Sequence, residues 1–431
     1  MQNKVTRSWR QELVGVGILL LGLAAVLAQA QPGGDWPRWR GPNNDNLPAV
    51  ASFPQDLGKG LLKLWAADNL CVGTNSQAWA CPSVAGDRLI VTGRSGDKDL
   101  VFCLNAQTGK ELWKQAYDAP VGKDVQYGNG PRATPIIENG LVYTFGCSGE
   151  LACWSLADGK PLWRTSLASL RGQRELWGCA STPLIVGDTL FVQVGGSNLV
   201  VAVDKRKGGT IWTSGAGKAS YAALTSANIA GHDQLLAFGA DALVSLSLDK
   251  GETLWTFAWP TAMGMNCATP QMVGADNLLL TSTDYNHKGG MVLLAFTNGV
   301  PKPVWETHTV GPAHNDPVIV DGLAYAYAGF SLGPKGLCCI DLHDGTQKWS
   351  TDQAGGPGTV IKVGNNLLCL GNNGLLVLGK PSPQEFQKVS QLQVFDANPA
   401  KGKPVWTEPI VANGRLYLRC SDQLVCYRIV E

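Results

Sequence analysis

The sequence predicts an all-β chain, an eight-bladed β-propeller with four-stranded blades, closed by pairing an N-terminal strand with the C-terminal blade. Three observations carry this reading. A phrase built from a short apolar strand, a polar turn and a tryptophan-bearing strand returns along the chain, as in GELACWSLADGKPLW ending at Trp163. Its copies close on Trp65, Trp113, Trp163, Trp212, Trp255, Trp305 and Trp349, at intervals of 43 to 50 residues. A fixed period in this range marks a repeat architecture, and a repeat of short strands marks a propeller blade. Eight apolar strand pairs also start at regular spacing, six of them at a proline: Pro82, Pro135, Pro183, Pro270, Pro317 and Pro409, with Ser226 and Thr359 in the other two. Proline at a strand's first residue removes no ladder hydrogen bond. Finally, 52 glycines, 45% hydrophobic and 16% charged residues suit many tight turns around a large core.

Taken in order, residues 1–30 read as a targeting segment. Lys4, Arg7 and Arg10 precede an apolar run from Leu13 to Leu27, and Ala28-Gln29-Ala30 is a small-x-small cleavage site. This implies export to the periplasm or envelope of a Gram-negative-type bacterium, with membrane contact only where the segment stays uncleaved. Its removal takes away three basic groups and one acid and leaves a net charge of −1. A near-neutral chain gives no electrostatic reason to expect a nucleic acid partner. Residues 31–60 form an arm, DWPRWRGPNNDN at its centre, whose Trp36 and Trp39 are expected to dock on the propeller surface as a latch. The propeller proper is expected over residues 61–431. Blade eight runs out of chain after three strands, and Leu61 to Trp65 is available as its fourth, which would leave the ring without a free sheet edge there. Blade seven lacks the tryptophan, and an apolar substitute around Phe386 or Val389 is expected to stand in.

Twelve cysteines in an exported chain allow disulfides. Cys147 with Cys153 and Cys420 with Cys426 would each flank a hairpin turn, and Cys71 with Cys81 could close a loop before blade one. Against this, Cys103, Cys153 and Cys339 each stand ten residues before a repeat tryptophan, where other copies carry Ala202, Ser245 and Ala295. That slot asks for a small side chain, and free cysteine behaves as a small hydrophobe. No zinc-type CxxC pairing occurs, and no metal site is expected.

In a propeller the first strand of each blade lines the central channel, so residues just before it ring one mouth. These are Trp79, Tyr127, Asn129, Arg132, Trp177, Tyr221, Asn266, His314, Asn315, Asp316 and Trp406. Aromatics beside amide, cationic and imidazole groups suit a pocket for a planar or polar ligand such as a sugar, and equally suit side chains that fill and cap a narrow channel. No catalytic residue is assigned, since HExxH and CxxCH are missing from the sequence.

The turn-then-tryptophan phrase resembles the docking repeat of quinoprotein alcohol dehydrogenases. WPRWRGPNNDN, YGNGPRATP and HNDPVIVDGLAYAYAG resemble a narrower group, the exported bacterial PQQ-binding-like β-propeller repeat proteins related to the BamB outer-membrane assembly factors. The first resemblance implies pyrroloquinoline quinone (PQQ) with calcium, an aspartate base and a stacking tryptophan, and oxidation of alcohols or sugars. The second implies a scaffold without a cofactor that binds an envelope protein or peptide. With Asp316 as the mouth's one carboxylate, the ligand set for calcium is incomplete, and the scaffold reading is the expectation.

Overall fold

The computed structural model describes residues 34–121, 127–170, 177–283, 288–312, 315–328, 336–399, 402 and 404–430. The targeting segment and His314 therefore lie outside the described residues. Eight antiparallel sheets follow one another around a ring, with the strands of the first seven in chain order from the channel outward. Blade two is representative: Ile136–Glu138 lies innermost, followed by Leu141–Phe145, Glu150–Ser155 and, outermost, Pro161–Ser166.

Blade eight closes as the sequence implies. Its three C-terminal strands end with Gln423–Ile429, and Leu61–Ala67 pairs antiparallel beside it, with Leu61 opposite Ile429 and Ala67 opposite Leu424. Blade one carries an addition, a two-residue strand, Cys71–Val72, that runs parallel to Arg88–Ser95. Among the described residues no helix is long and apolar enough to cross a membrane.

The tryptophan phrase is a joint between blades. The indole N–H donates to a backbone carbonyl of the next blade in six of the seven copies, from Trp65 to Ala106, Trp113 to Leu156, Trp163 to Lys205, Trp212 to Leu248, Trp305 to Leu342 and Trp349 to Ser382, over 2.8–3.3 Å. Five of these rings also lie over a glycine of the receiving turn: Gly109, Gly159, Gly208, Gly251 and Gly345, all at φ of +70 to +75°. A Cβ there would stand 2.5–2.6 Å from the ring, so the turn needs glycine for its backbone and for the close approach alike. A register shift between the third and fourth strands accompanies each joint, and the bulge aims the indole at its neighbour.

Trp255 departs from the pattern. Its indole donates to Gln234 Oε1 of its own blade at 2.8 Å and packs on Phe296. The cause lies in blade five, where Asn298 and Gly299 alone join Met291–Thr297 to Val300–Thr307, a hairpin too tight to offer the usual receiving turn. The same hairpin shifts the small-residue slot. Trp305 stands opposite Leu293, whereas the spacing pointed to Ala295. In blade seven, Phe386 is buried against Trp349 at the joint with blade six, while Val389 packs into the layer toward blade eight, where the tryptophan is missing.

All twelve cysteines are free thiols. The strand register explains why the expected disulfides do not form. Cys153 stands opposite Tyr143, while Cys147 lies in the turn. Cys426 faces Tyr417 and Cys420 faces Gln423. Cys71 stands beside Arg94, and Cys81 is engaged elsewhere, accepting the Glu408 N–H on its sulfur. Cys103, Cys153 and Cys339 stand directly opposite Trp113, Trp163 and Trp349, as small apolar fillers.

Candidate functional site

The innermost strands open on a ring of residues that precede them: Cys81, Thr134, Thr182, Thr225, Thr269, Asp316, Gly358 and Glu408. Four are threonine, and two are carboxylic acids. The ring is stitched from blade to blade. Thr134 N donates to Thr182 Oγ1, Thr269 N to Asp316 Oδ1, and Thr359 Oγ1 to the Thr407 carbonyl. Side chains expected as ligand contacts belong to the same stitching. Asn266 Nδ2 donates to the carbonyls of Gly239 and Ala240, and Asn315 Nδ2 donates to the Gly358 carbonyl. Buried backbone carbonyls need donors, and these amides supply them across blade boundaries.

Farther out, the mouth is aromatic. Trp79 lies against Trp406 at 4.9 Å between ring centroids, and Tyr127 meets the same indole edge-on at 5.0 Å. Trp79 donates to the Tyr127 carbonyl, which holds Tyr127 in a left-handed backbone at φ +63° with its ring exposed. Trp177 and Tyr221 form a second edge-on pair at 5.3 Å. Arg132 is spent within its own loop on the carbonyls of Gly128 and Gly130, and Asn129 is buried, its N–H on the Asn75 carbonyl.

The arm docks, but inside the channel instead of on the outer surface. Asp35 accepts from Gly86 N–H and Asn413 Nδ2, at the turns that follow the innermost strands of blades one and eight. Trp36 then forms a two-way backbone bridge with Val84, and the Pro37 carbonyl accepts Ile137 N–H, so the arm adds itself to two innermost strands. The chain folds back at Gly41, which sits under the Trp36 ring at φ +79°. From this tip Trp39 Nε1 donates to Thr269 Oγ1, Asn44 Nδ2 to Thr225 Oγ1 and Asn46 Nδ2 to Glu408 Oε1. Arg40 Nε stands 3.1 Å from Asp316 Oδ2, with both side chains almost wholly buried. On the way out, Leu47 packs into the layer between blades six and seven, and Val50 and Phe53 into that between blades seven and eight. The tip thus meets the ring of pre-strand residues at four positions, including both carboxyls.

Burial pushes the Asp316 carboxyl above its ordinary range, opposed first by Arg40. Burial pushes Glu408 up further, reinforced by the charge of Asp316 and opposed by Arg40 and Asn46. Glu408, Arg40, Asn44 and Asn46 were not singled out by sequence, which pointed within the arm to Trp36 and Trp39 alone. A signal existed: Glu408 and Asp316 stand where four of the other six blades put threonine before the proline slot, and a buried carboxyl calls for a cation.

The fold is that of a family described as outer membrane protein assembly factor BamB, whose model matches residues 62–143, 125–266 and 239–423. The chain belongs to this family. Among curated relatives, the BamB of Moranella endobia is 27% identical over 154 residues, 36% of each chain. That of Burkholderia pseudomallei is 26% identical over 164 residues, 38% of this chain and 39% of the relative. The matched stretch therefore spans little more than a third of the curated relatives. Among solved structures, BamB from Moraxella catarrhalis superposes with a TM-score of 0.57 at 15% identity, covering 85% of this chain and 97% of that one. The quinohemoprotein alcohol dehydrogenase from Comamonas testosteroni gives 0.62 at 14% identity, covering 93% and 81%. At such identities the structural likenesses show the shared fold.

Proposed function

We propose that this chain is an exported scaffold of the bacterial envelope that binds a protein or peptide partner and performs no chemistry in its channel. One observation carries the reading: the channel is filled by the chain's own arm, and Arg40 takes up the carboxylate that a cofactor site would use. The residues do not fit PQQ with calcium. Asp316 is buried against Arg40 and Thr269 N–H, Trp177 lies against Tyr221, and the amides of Asn266 and Asn315 are bound to neighbouring carbonyls. Among the described residues no group of three or more His, Cys, Asp or Glu is placed to hold a metal ion.

The outer rim supports a protein partner. Leu64, Leu112, Leu162, Ile211, Leu254 and Val304 each precede a joint tryptophan, and each is exposed on an outermost strand. Outermost strands also present unpaired backbone groups to which an extended segment can add. The test is capture from a bacterial envelope extract by the purified mature chain, beside a variant carrying Leu112→Asp, Leu162→Asp and Ile211→Asp. The reading predicts a specific partner held by the first and lost by the second. Equal capture by both, or dye-linked alcohol oxidation after loading with quinone and calcium, would overturn it.

A further inference from the structure

The hub contains an imbalance of charge. Asp316, Glu408 and Arg40 are each 3% exposed or less, so among the described residues two buried carboxyls face the one guanidinium of the arm's tip. The groups facing them are the Trp39 indole and Asn46 amide on the arm, Thr269 and Cys267 before blade five, and Cys81 before blade one. Among the described residues none of these is a cation, and the buried guanidinium of Arg419, behind Cys81, is committed to the carbonyls of Ala80, Thr92 and Ser421. Asp316 Oδ2 and Glu408 Oε2 are both buried acceptors without a hydrogen bond, although Arg40 stands beside the first. One turn of the arm ties the two carboxyls together, with Arg40 on Asp316, Asn46 on Glu408 and the Asn46 N–H on the Arg40 carbonyl, and the charge of Asp316 acts on Glu408. Buried charge without a counter-charge is costly, and a group in this position neutralises instead.

We infer that the hub holds a proton on Glu408, directed at Asp316 Oδ2, and that seating of the arm is linked to this proton. A single proton cancels the residual negative charge and converts two orphan acceptors into a donor and its acceptor. Glu408 is the holder because Asp316 has the better anion environment, with Arg40 Nε at 3.1 Å and Thr269 N–H at 2.6 Å, whereas Glu408 has the weaker amide of Asn46. The inference goes beyond the scaffold reading and stands independently of any partner.

The direction of the pH dependence follows. The folded chain keeps a proton that the unfolded carboxyl gives up above its ordinary value of 4.5. Stability contributed by the hub is therefore greatest at or below that value and falls as pH rises toward the raised value in the fold. Within that window the folding equilibrium constant drops about tenfold per pH unit.

The experiment is denaturant unfolding of the full mature chain from about pH 5 to about pH 8, for the wild type, Glu408→Gln and Asp316→Asn, with infrared spectra of each at neutral pH. Glu408→Gln keeps the shape and a donor without a titrating group. Relative to it the wild type should lose about tenfold in folding constant per pH unit. A protonated-carboxyl band in the wild type should vanish in Glu408→Gln. Parallel pH profiles, no such band in the wild type, or a band lost in Asp316→Asn but kept in Glu408→Gln would each overturn the assignment. Burial also raises the Asp99 carboxyl to about 7, so only the band lost on changing Glu408 counts, and Glu408→Ala serves where Glu408→Gln fails to fold.

Discussion

The rim and the hub of this ring join the same blades by opposite means. At the rim one phrase is used seven times, and in six of them an indole crosses to a carbonyl of the next blade, usually over a glycine. At the hub a single segment that occurs once, Asp35 to Phe53, reaches innermost strands, the turns after them or the pre-strand ring of many blades. Rim joints are nearest-neighbour contacts, so damage to one is confined largely to two blades. The hub is shared, so damage there is felt around the ring.

The sharpest way to break the comparison is to remove residues 34–54. The loss of buried Trp36 and Phe53 and of the cation facing Asp316 should cost at least about 5 kcal/mol, as single deletions of either kind cost about 3–5. Chemical denaturation should show a chain unfolded or close to it. Next in size, Arg40→Met leaves Asp316 buried and unpaired, and should destabilise by about 3–5 kcal/mol. At the rim, Gly208→Ala forces a Cβ to within 2.5 Å of the Trp163 ring in a left-handed backbone, and should cost about 2–4 kcal/mol, overpacking and backbone strain together. Gly299→Ala, in the hairpin that lacks the joint, meets only Ala230 at 3.8 Å and should cost about 1–2 kcal/mol, the backbone term alone. Smallest of all, Leu112→Asp on the exposed outer strand should change stability by about 0.5 kcal/mol or less, in line with its proposed role in partner contact. Equal losses for Gly208→Ala and Gly299→Ala would remove the distinction between regular and irregular joints.

Legibility in the sequence divides along the same line. Because rim contacts are local and repeated, the eight strand entries and the period of the tryptophans together gave the blade count, the closure by Leu61 to Trp65 and the small-residue slot of Cys103, Cys153 and Cys339. Where a blade departed from the repeat, as at Trp255 and Trp305, the spacing misled, because a two-residue hairpin shifts register by an amount the period does not encode. Repetition says nothing of the hub. Trp36, Trp39 and Arg40 occur in one short segment, and their partners lie from about 48 to about 276 residues away. Asn266, Asn315 and Arg132 carried the chemistry of ligand contacts, and the structure uses them to satisfy backbone carbonyls. Which of the two readings of the cysteines holds was left open for a related reason. Spacing across a hairpin leaves open which residues stand opposite each other, and register placed Tyr143 and Tyr417 where a second cysteine was needed.

The account stands on the arm occupying the channel, and a double-mutant cycle between Arg40 and Asp316 tests that most directly. Arg40→Met, Asp316→Asn and the two combined would be compared with the wild type by denaturant unfolding at neutral pH. Contact in a buried site predicts strong non-additivity, with the second substitution recovering about 1–3 kcal/mol of the loss caused by the first. Additivity within about 0.5 kcal/mol, as found for sites more than about 10 Å apart, would mean that the arm does not fill the hub.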